Sequence, residues 1–304
     1  MKQPNKHRGT IVPMVTPLTE DFTLDVEAAE QMVDRLASHG LGAFVLGTTG
    51  EAASVQFDDR RRLVEIAAKT ADGRVPVYAG IGDNCVLDSI ETAKQFLSFG
   101  IDAVVAPLPA YYALTAQEML DFFALLSKSI NGDIVPYNIP QATHMSIPIE
   151  VVKRFADWEN IVGFKDSENA AGRLDEVAKL GGRSDFSIFM GVARLSLLAM
   201  QASYDGLVPS SGNIAPQLWA VFGETCAGKD WEQAELLQNK LNDIALIFQR
   251  DRTLGQSIAT LKACTTALGL GQPYVAPPLQ TRPESELSPL KTELALHIEL
   301  PSAL

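Results

Sequence analysis

Cysteine is scarce in this 304-residue sequence, long apolar runs are missing, and basic residues are outnumbered by acidic ones. Each lack removes a class of protein. The three cysteines, Cys85, Cys226 and Cys264, stand far apart without CxxC spacing. That pattern fits neither a disulfide scaffold nor a thiolate metal site, and it reads as reduced core residues of a cytosolic protein, set in helical contexts. No stretch approaches the roughly 20 consecutive apolar residues of a membrane-spanning helix. The start of the chain, Met1 to Gly9, is polar and basic and has no apolar core of the kind an export signal needs. A soluble, cytoplasmic protein without a membrane partner is expected. With a formal net charge of −12, the chain is a poor match for nucleic acid and offers no polybasic patch to a membrane surface. An anionic small molecule is not excluded, since a few local donors decide that.

What the sequence does contain is regular alternation. Short β-prone runs are followed by longer runs with apolar residues at helical spacing. The strand-like runs are Thr10–Val15, Gly42–Leu46, Val75–Ala79, Ala103–Ala106, Asp133–Tyr137, Ile161–Lys165, Phe186–Met190 and Gly206–Pro209. The helical runs that follow them are Val26–Ser38, Asp58–Thr70, Val86–Phe99, Ala116–Ser129, Ile149–Phe155, Ala170–Leu180, Ala193–Ala202 and Pro216–Cys226. Eight such units fit an α/β fold of the (β/α)8 TIM-barrel type. An open doubly wound sheet also alternates strand and helix, but it usually carries a Gly-rich phosphate turn after the first strand. Here Thr16-Pro-Leu-Thr-Glu20 stands there instead. Beyond the eighth unit, Trp231–Arg250 and Ser257–Leu268 are helical runs with no strand between them, and Gln272–Pro289 reads as Pro-rich loop. The expected organisation is a barrel over 8–226 and a C-terminal helical extension and tail over 227–304.

The unusual polar residues follow the strands. Thr48 and Thr49 come after the second, Tyr111 and Tyr112 after the fourth, Tyr137 and Lys165 end the fifth and sixth, Gly191 follows the seventh and Ser210–Asn213 the eighth. In a barrel these ends share one face, where active sites of the fold lie. Lys165 closes an apolar run, and burying its ammonium is costly unless it loses the proton or finds a partner. Two readings are open. A desolvated neutral amine attacks a ketone to form a Schiff base; alternatively the side chain snorkels to solvent or pairs with Asp166 or another carboxylate. Gly47-Thr-Thr-Gly50 is either a tight strand-to-helix turn or a carboxylate-binding set of hydroxyls and backbone N–H groups. Tyr137 either caps the barrel interior or shuttles a proton.

Five motifs carry a resemblance. Gly47-Thr-Thr-Gly-Glu51, Pro109-Ala-Tyr-Tyr112, Tyr137-Asn-Ile-Pro140, Gly163-Phe-Lys-Asp166 and Ser211-Gly-Asn213 have the order and spacing of the dihydrodipicolinate synthase/N-acetylneuraminate lyase family of class I aldolases. The resemblance runs from about Thr10 to Leu270. It implies a barrel with C-terminal helices, a homotetramer built as a dimer of dimers, and pyruvate chemistry through a Schiff base with no metal and no cofactor. By position, Lys165 resembles the Schiff-base lysine and Tyr137 the proton-transferring tyrosine. Thr48 and Thr49 resemble the hydroxyl and carboxylate-binding pair. Tyr112 resembles the relay tyrosine that reaches a neighbouring subunit. Gly47, Gly50, Ser167, Gly191 and Ser211 are the further expected substrate contacts. Two departures bear on the substrate. Where the synthases of the family place an arginine after the Tyr-Asn-x-Pro motif, this sequence has Ala142; where the sialic acid lyases place acidic residues after the seventh strand, it has Gly191-Val-Ala-Arg194. Pro109–Thr115 is more similar to the versions in 2-keto-3-deoxy sugar acid aldolases and dehydratases. The expected reaction is reversible cleavage of a 2-keto-3-deoxy sugar acid to pyruvate and an aldehyde. A synthase-type condensation, a dehydratase and a non-catalytic 2-oxo-acid binder are the alternatives.

Overall fold

β-Branched runs and amphipathic helices alternate along the chain, and the computed structural model, which describes residues 6–299, realises nearly all of them. In chain order the elements are β1 (Gly9–Pro13), α1 (Val26–Ser38), β2 (Gly42–Val45), α2 (Phe57–Ala71), β3 (Val77–Gly80), α3 (Val86–Ser98), β4 (Ala103–Pro107), α4 (Ala116–Ser129), β5 (Ile134–Asn138), α5 (Pro140–Thr143), α6 (Ile149–Phe155), β6 (Gly163–Asp166), α7 (Arg173–Ala178), β7 (Ser187–Met190), α8 (Ser196–Gln201), β8 (Gly206–Leu207), α9 (Pro216–Ala227), α10 (Trp231–Gln249), α11 (Leu254–Ala267) and α12 (Leu287–Ala295). The eight strands follow one another in sequence order and close into a barrel. This is a (β/α)8 barrel followed by C-terminal helices. Among the described residues no helix is long and apolar enough to cross a membrane.

The chain forms two compact units, one of the residues up to Ile11 with Pro76–Pro209, the other of Val12–Val75 with Ser210 onward. In the first, α4 begins at a capping box in which the Thr115 hydroxyl accepts from the Glu118 N–H and the Glu118 carboxylate accepts from the Thr115 N–H. The buried face of that helix brings Phe123 to 4.7 Å from Phe155 of α6, which in turn lies 5.9 Å from Phe164 of β6. This apolar stack backs the strand that carries Lys165.

In the second unit Asn213 ties the segment after β1 to the 3-10 turn Ser210–Asn213. Its Oδ1 accepts from the Val15 N–H at 3.1 Å and its Nδ2 donates to the Pro13 carbonyl at 2.9 Å. From α1, the Arg35 guanidinium donates to the carbonyls of Asn213 and Ile214 at 2.8 and 2.9 Å. These bonds satisfy backbone groups of the segments that they join.

Three expectations need correction. Gln272–Pro289 is not all loop, because a 3-10 turn at Glu284–Glu286 runs into α12, which starts at Leu287 and buries Leu290 and Leu294. Cys85 is not a core residue; it is exposed at the N-terminal end of α3, whereas Cys226 and Cys264 are buried within helices as expected. The sixth strand begins at Gly163, and Ile161 makes only an isolated bridge to Ile134.

Candidate active site

Register and alternation place the two reactive side chains of the first unit. β5 and β6 pair in parallel with Tyr137 opposite Lys165 and Asn138 opposite Asp166. Because successive side chains of a strand point to opposite faces, Lys165 shares a face with Gly163, and Phe164 and Asp166 turn the other way. Phe164 and Asp166 indeed meet Arg173 of α7, at 5.9 Å from the guanidinium carbon to the Phe164 ring and 2.7 Å from Arg173 Nε to Asp166 Oδ2. Asp166 therefore pairs with arginine on the helix side of the strand and is not the partner of Lys165. On the other face, Phe189 of β7 lies opposite Lys165; a Cβ on Gly206 would stand 2.6 Å from its ring, and a Cβ on Gly163 would stand 2.6 Å from the Ser187 carbonyl oxygen. Only glycine fits at either position.

Lys165 is 5% exposed, and its Nζ stands 3.7 Å from the centroid of the Tyr137 ring. Burial pushes the lysine below the usual ammonium range, while its electrostatic interaction and hydrogen bond with Tyr137 oppose the shift. A phenol beside the amine is the arrangement in which one group loses a proton as the other gains it. Ser167, the next residue but one, donates its hydroxyl to Tyr137 Oη at 3.4 Å. That hydroxyl also occupies the space where a side chain on Gly191 would begin, and the Gly191 N–H donates to the Asp166 carbonyl at 2.7 Å. Any other residue at 191 would displace Ser167. Tyr137, Lys165, Ser167 and Gly191 are thus brought together.

Behind this group lies a polar network that sequence reasoning missed. Asn138 Nδ2 donates to Asp166 Oδ1 and to Glu168 Oε2, both at 2.8 Å, and its Oδ1 accepts from the Ile147 N–H at 3.0 Å. Ser146 donates to Glu168 Oε2 at 2.6 Å. Burial raises the Asp166 carboxyl, and the charge of Arg173 and the bond from Asn138 pull it back down. The available signal was positional: Asn138 and Asp166 each follow a reactive residue by one. The remaining first-unit candidates lie apart from this cluster in character. Tyr111 and Tyr112 are 75% and 73% exposed and stack edge-to-face at 4.9 Å. Ala142 is half-buried on α5, and Arg194 is exposed on the 3-10 turn Ala193–Leu195.

The second unit holds the turn after β2. Gly47 and Gly50 are buried, and Thr48 and Thr49 are partly exposed. The turn is closed by the Glu51 N–H donating to the Thr48 carbonyl at 3.1 Å, and Thr16 Oγ1 donates to the Gly50 carbonyl at 2.5 Å. Glu51 is itself fixed: its Oε1 accepts from Lys262 Nζ of α11 at 2.6 Å and its Oε2 from the Ala276 N–H at 2.7 Å. Lys262 was also missed, although a lysine inside an otherwise uncharged helical run signals a buried partner. Ser211 is fully buried, and its hydroxyl accepts from the Trp219 indole at 3.0 Å.

A barrel with a buried amine at the C-terminal end of one strand and a phenol opposite it on the next is the framework of an enzyme acting through that amine. The chain matches the dihydrodipicolinate synthetase family over residues 6–296. It is 30% identical to a probable 2-dehydro-3-deoxy-D-pentonate aldolase of Escherichia coli K12, over 90% of this chain and 92% of that protein. It is 28% identical to a 4-hydroxy-tetrahydrodipicolinate synthase of Bartonella quintana, over 95% and 97% of the two chains. A solved prophage protein of E. coli K12, of the same family and in complex with pyruvate, superposes with a TM-score of 0.89 at 26% identity, covering 96% of this chain and 98% of its own. The chain belongs to the dihydrodipicolinate synthetase family and is a carbon–carbon lyase of the aldolase type.

Proposed function

We propose that the protein is a Schiff-base aldolase acting on 2-oxo acids, and that its reaction is reversible cleavage of a 2-keto-3-deoxy sugar acid to pyruvate and an aldehyde. The observation that carries the reading is the buried Lys165 amine over the Tyr137 ring. The neutral Nζ adds to the substrate C2 carbonyl, and Tyr137 gives its proton to the departing hydroxyl, which leaves as water. The C3–C4 bond of the imine then breaks, its electron pair moves toward the imine nitrogen to leave an enamine, and the C4 hydroxyl returns a proton to Tyr137 as it becomes the aldehyde. Protonation of C3 and hydrolysis of the imine release pyruvate. In this reading Thr48 and Thr49, with the backbone of the Gly47–Gly50 turn, receive the substrate carboxylate, and Ser167 and Gly191 border the substrate; Ser211, fully buried against the Trp219 indole, supports the segment after β8 instead.

A second carboxylate on the distal part of the substrate needs its own strong donors, and Ala142 supplies none. A polyhydroxylated distal portion is therefore favoured, and the likeness to the pentonate aldolase supports it. The exposed Arg194 is the residue that favours the competing reading, condensation of pyruvate with an aldehyde bearing its own carboxylate. The protein is further proposed to act in the cytoplasm as a homotetramer, a dimer of dimers, with the exposed Tyr112 reaching a neighbouring subunit.

Borohydride with pyruvate is expected to trap a covalent adduct on the wild-type protein and none on Lys165→Arg, because an arginine keeps the charge but is no amine nucleophile near neutral pH. Trapping at another lysine overturns the assignment. Cleavage of 2-keto-3-deoxy acids, assayed beside condensation of pyruvate with aspartate semialdehyde, tests the substrate. Efficient condensation that is lost in Arg194→Ala restores the synthase reading, and dehydration without cleavage moves the enzyme to a dehydratase.

A further inference from the structure

The Glu51 and Lys262 side chains are 0% and 1% exposed, and the 2.6 Å bond between them joins residues 211 positions apart within one compact unit. Stability is a poor explanation for such a pair. Removing two charges from water consumes most of what their attraction returns, and well-packed apolar residues hold a core at least as well. What an ion pair adds is direction. Glu51 follows Gly50 in a left-handed conformation, φ 55°, which a non-glycine residue holds only when its surroundings enforce it. Its carboxylate is held at both oxygens, by Lys262 and by the Ala276 N–H, and its own N–H closes the turn on the Thr48 carbonyl. The orientation of Glu51 therefore sets where Thr48 and Thr49 present their hydroxyls and amides.

We propose that Lys262, through Glu51, is a positioning residue for the Thr48–Thr49 turn, so that a lysine of the C-terminal helices sets the affinity for the substrate carboxylate. The inference rests on the carboxylate reading of that turn. It gives the helices after the barrel a part in substrate binding, since the ammonium that holds the glutamate comes from α11. Lys262 touches no reacting atom in this account. Its effect belongs in binding and leaves the chemistry at Lys165 unchanged.

The test is borohydride trapping as a function of pyruvate concentration. Lys262→Met is expected to raise the half-saturating pyruvate by roughly 10-fold or more, as misplaced contacts do, while the maximal trapped fraction stays that of wild type. Glu51→Gln, which keeps the shape but only one of the two acceptor oxygens, is expected to raise the half-saturating pyruvate as well. If the single variant fails to fold, the double variant Glu51→Gln with Lys262→Met removes the uncompensated buried charge and is measured in its place. A lowered melting temperature with unchanged half-saturation, in either variant, overturns the proposal and leaves the pair a purely structural one. Hydrogen exchange of residues 44–56 gives a readout without substrate: faster exchange there, with β4–β7 still protected, supports positioning, and unchanged exchange overturns it. Absence of trapping in wild type defeats the aldolase reading instead, and the exchange measurement then still decides whether Lys262 orders the turn.

Discussion

A lysine buried without solvent is held at a cost, and at Lys165 that cost is the source of its nucleophilicity. Folding lowers its proton affinity by desolvation, so the folded protein releases the proton at a lower pH than the unfolded chain does. The sign follows. At low pH both states hold the proton and the native state carries the full penalty; as pH rises toward 10.5, the ordinary value, the native state alone sheds the proton and gains stability. Lys165→Met is therefore expected to be more stable than wild type at neutral pH, with a margin that shrinks as the pH becomes alkaline. Urea denaturation of both proteins across that range measures it, and a margin independent of pH contradicts the buried-ammonium account. The role of Tyr137 shows in kinetics. If its hydroxyl carries protons in both imine formation and cleavage, Tyr137→Phe lowers kcat by roughly 10²- to 10⁴-fold with a much smaller change in KM. A loss confined to KM makes the phenol a binding group.

At the scale of elements, β6 separates two jobs by alternation, chemistry on one face and anchoring on the other. Arg173 of α7 holds Asp166 at 2.7 Å in a buried setting. Arg173→Met leaves that carboxylate without its cation and is expected to cost about 3–5 kcal/mol. Asp166→Asn in the same background removes the orphaned charge and is expected to recover part of the loss in urea melts; no recovery means that packing of the guanidinium on Phe164 dominates. The strands and helices of the barrel were legible because each is a local pattern, a short run of β-prone residues buried throughout or an amphipathic run of period 3.6. Tyr137 and Lys165 were legible because a phenol and an ammonium are conspicuous at apolar strand ends. The tail was misread for a local reason too. Pro283 and Pro289 look like loop signals, yet Pro289 falls in the first turn of α12, where a missing N–H is harmless. Cys85 was misassigned because it stands at the edge of the helical run that begins at Val86. Glu51 and Lys262 were illegible in another sense, since no window on the sequence spans the 211 residues between them.

At the scale of the molecule, the excess of acidic residues leaves the few buried cations with defined tasks. Lys165 meets Tyr137, Arg173 meets Asp166 and Lys262 meets Glu51. The two compact units also divide the chain in a way that bears on how the gene can be recombined. The backbone passes from one unit to the other after Ile11, Val75 and Pro209, so each is assembled from pieces distant in the coding sequence. A single crossover between two related genes cannot exchange either unit whole. A double crossover bounding codons 76–209 transplants Tyr137, Asn138, Lys165, Ser167, Arg173 and Gly191 as one inherited block and leaves the Thr48–Thr49 turn with its own Glu51 and Lys262. Lineages that trade that block keep both buried ion pairs matched by descent.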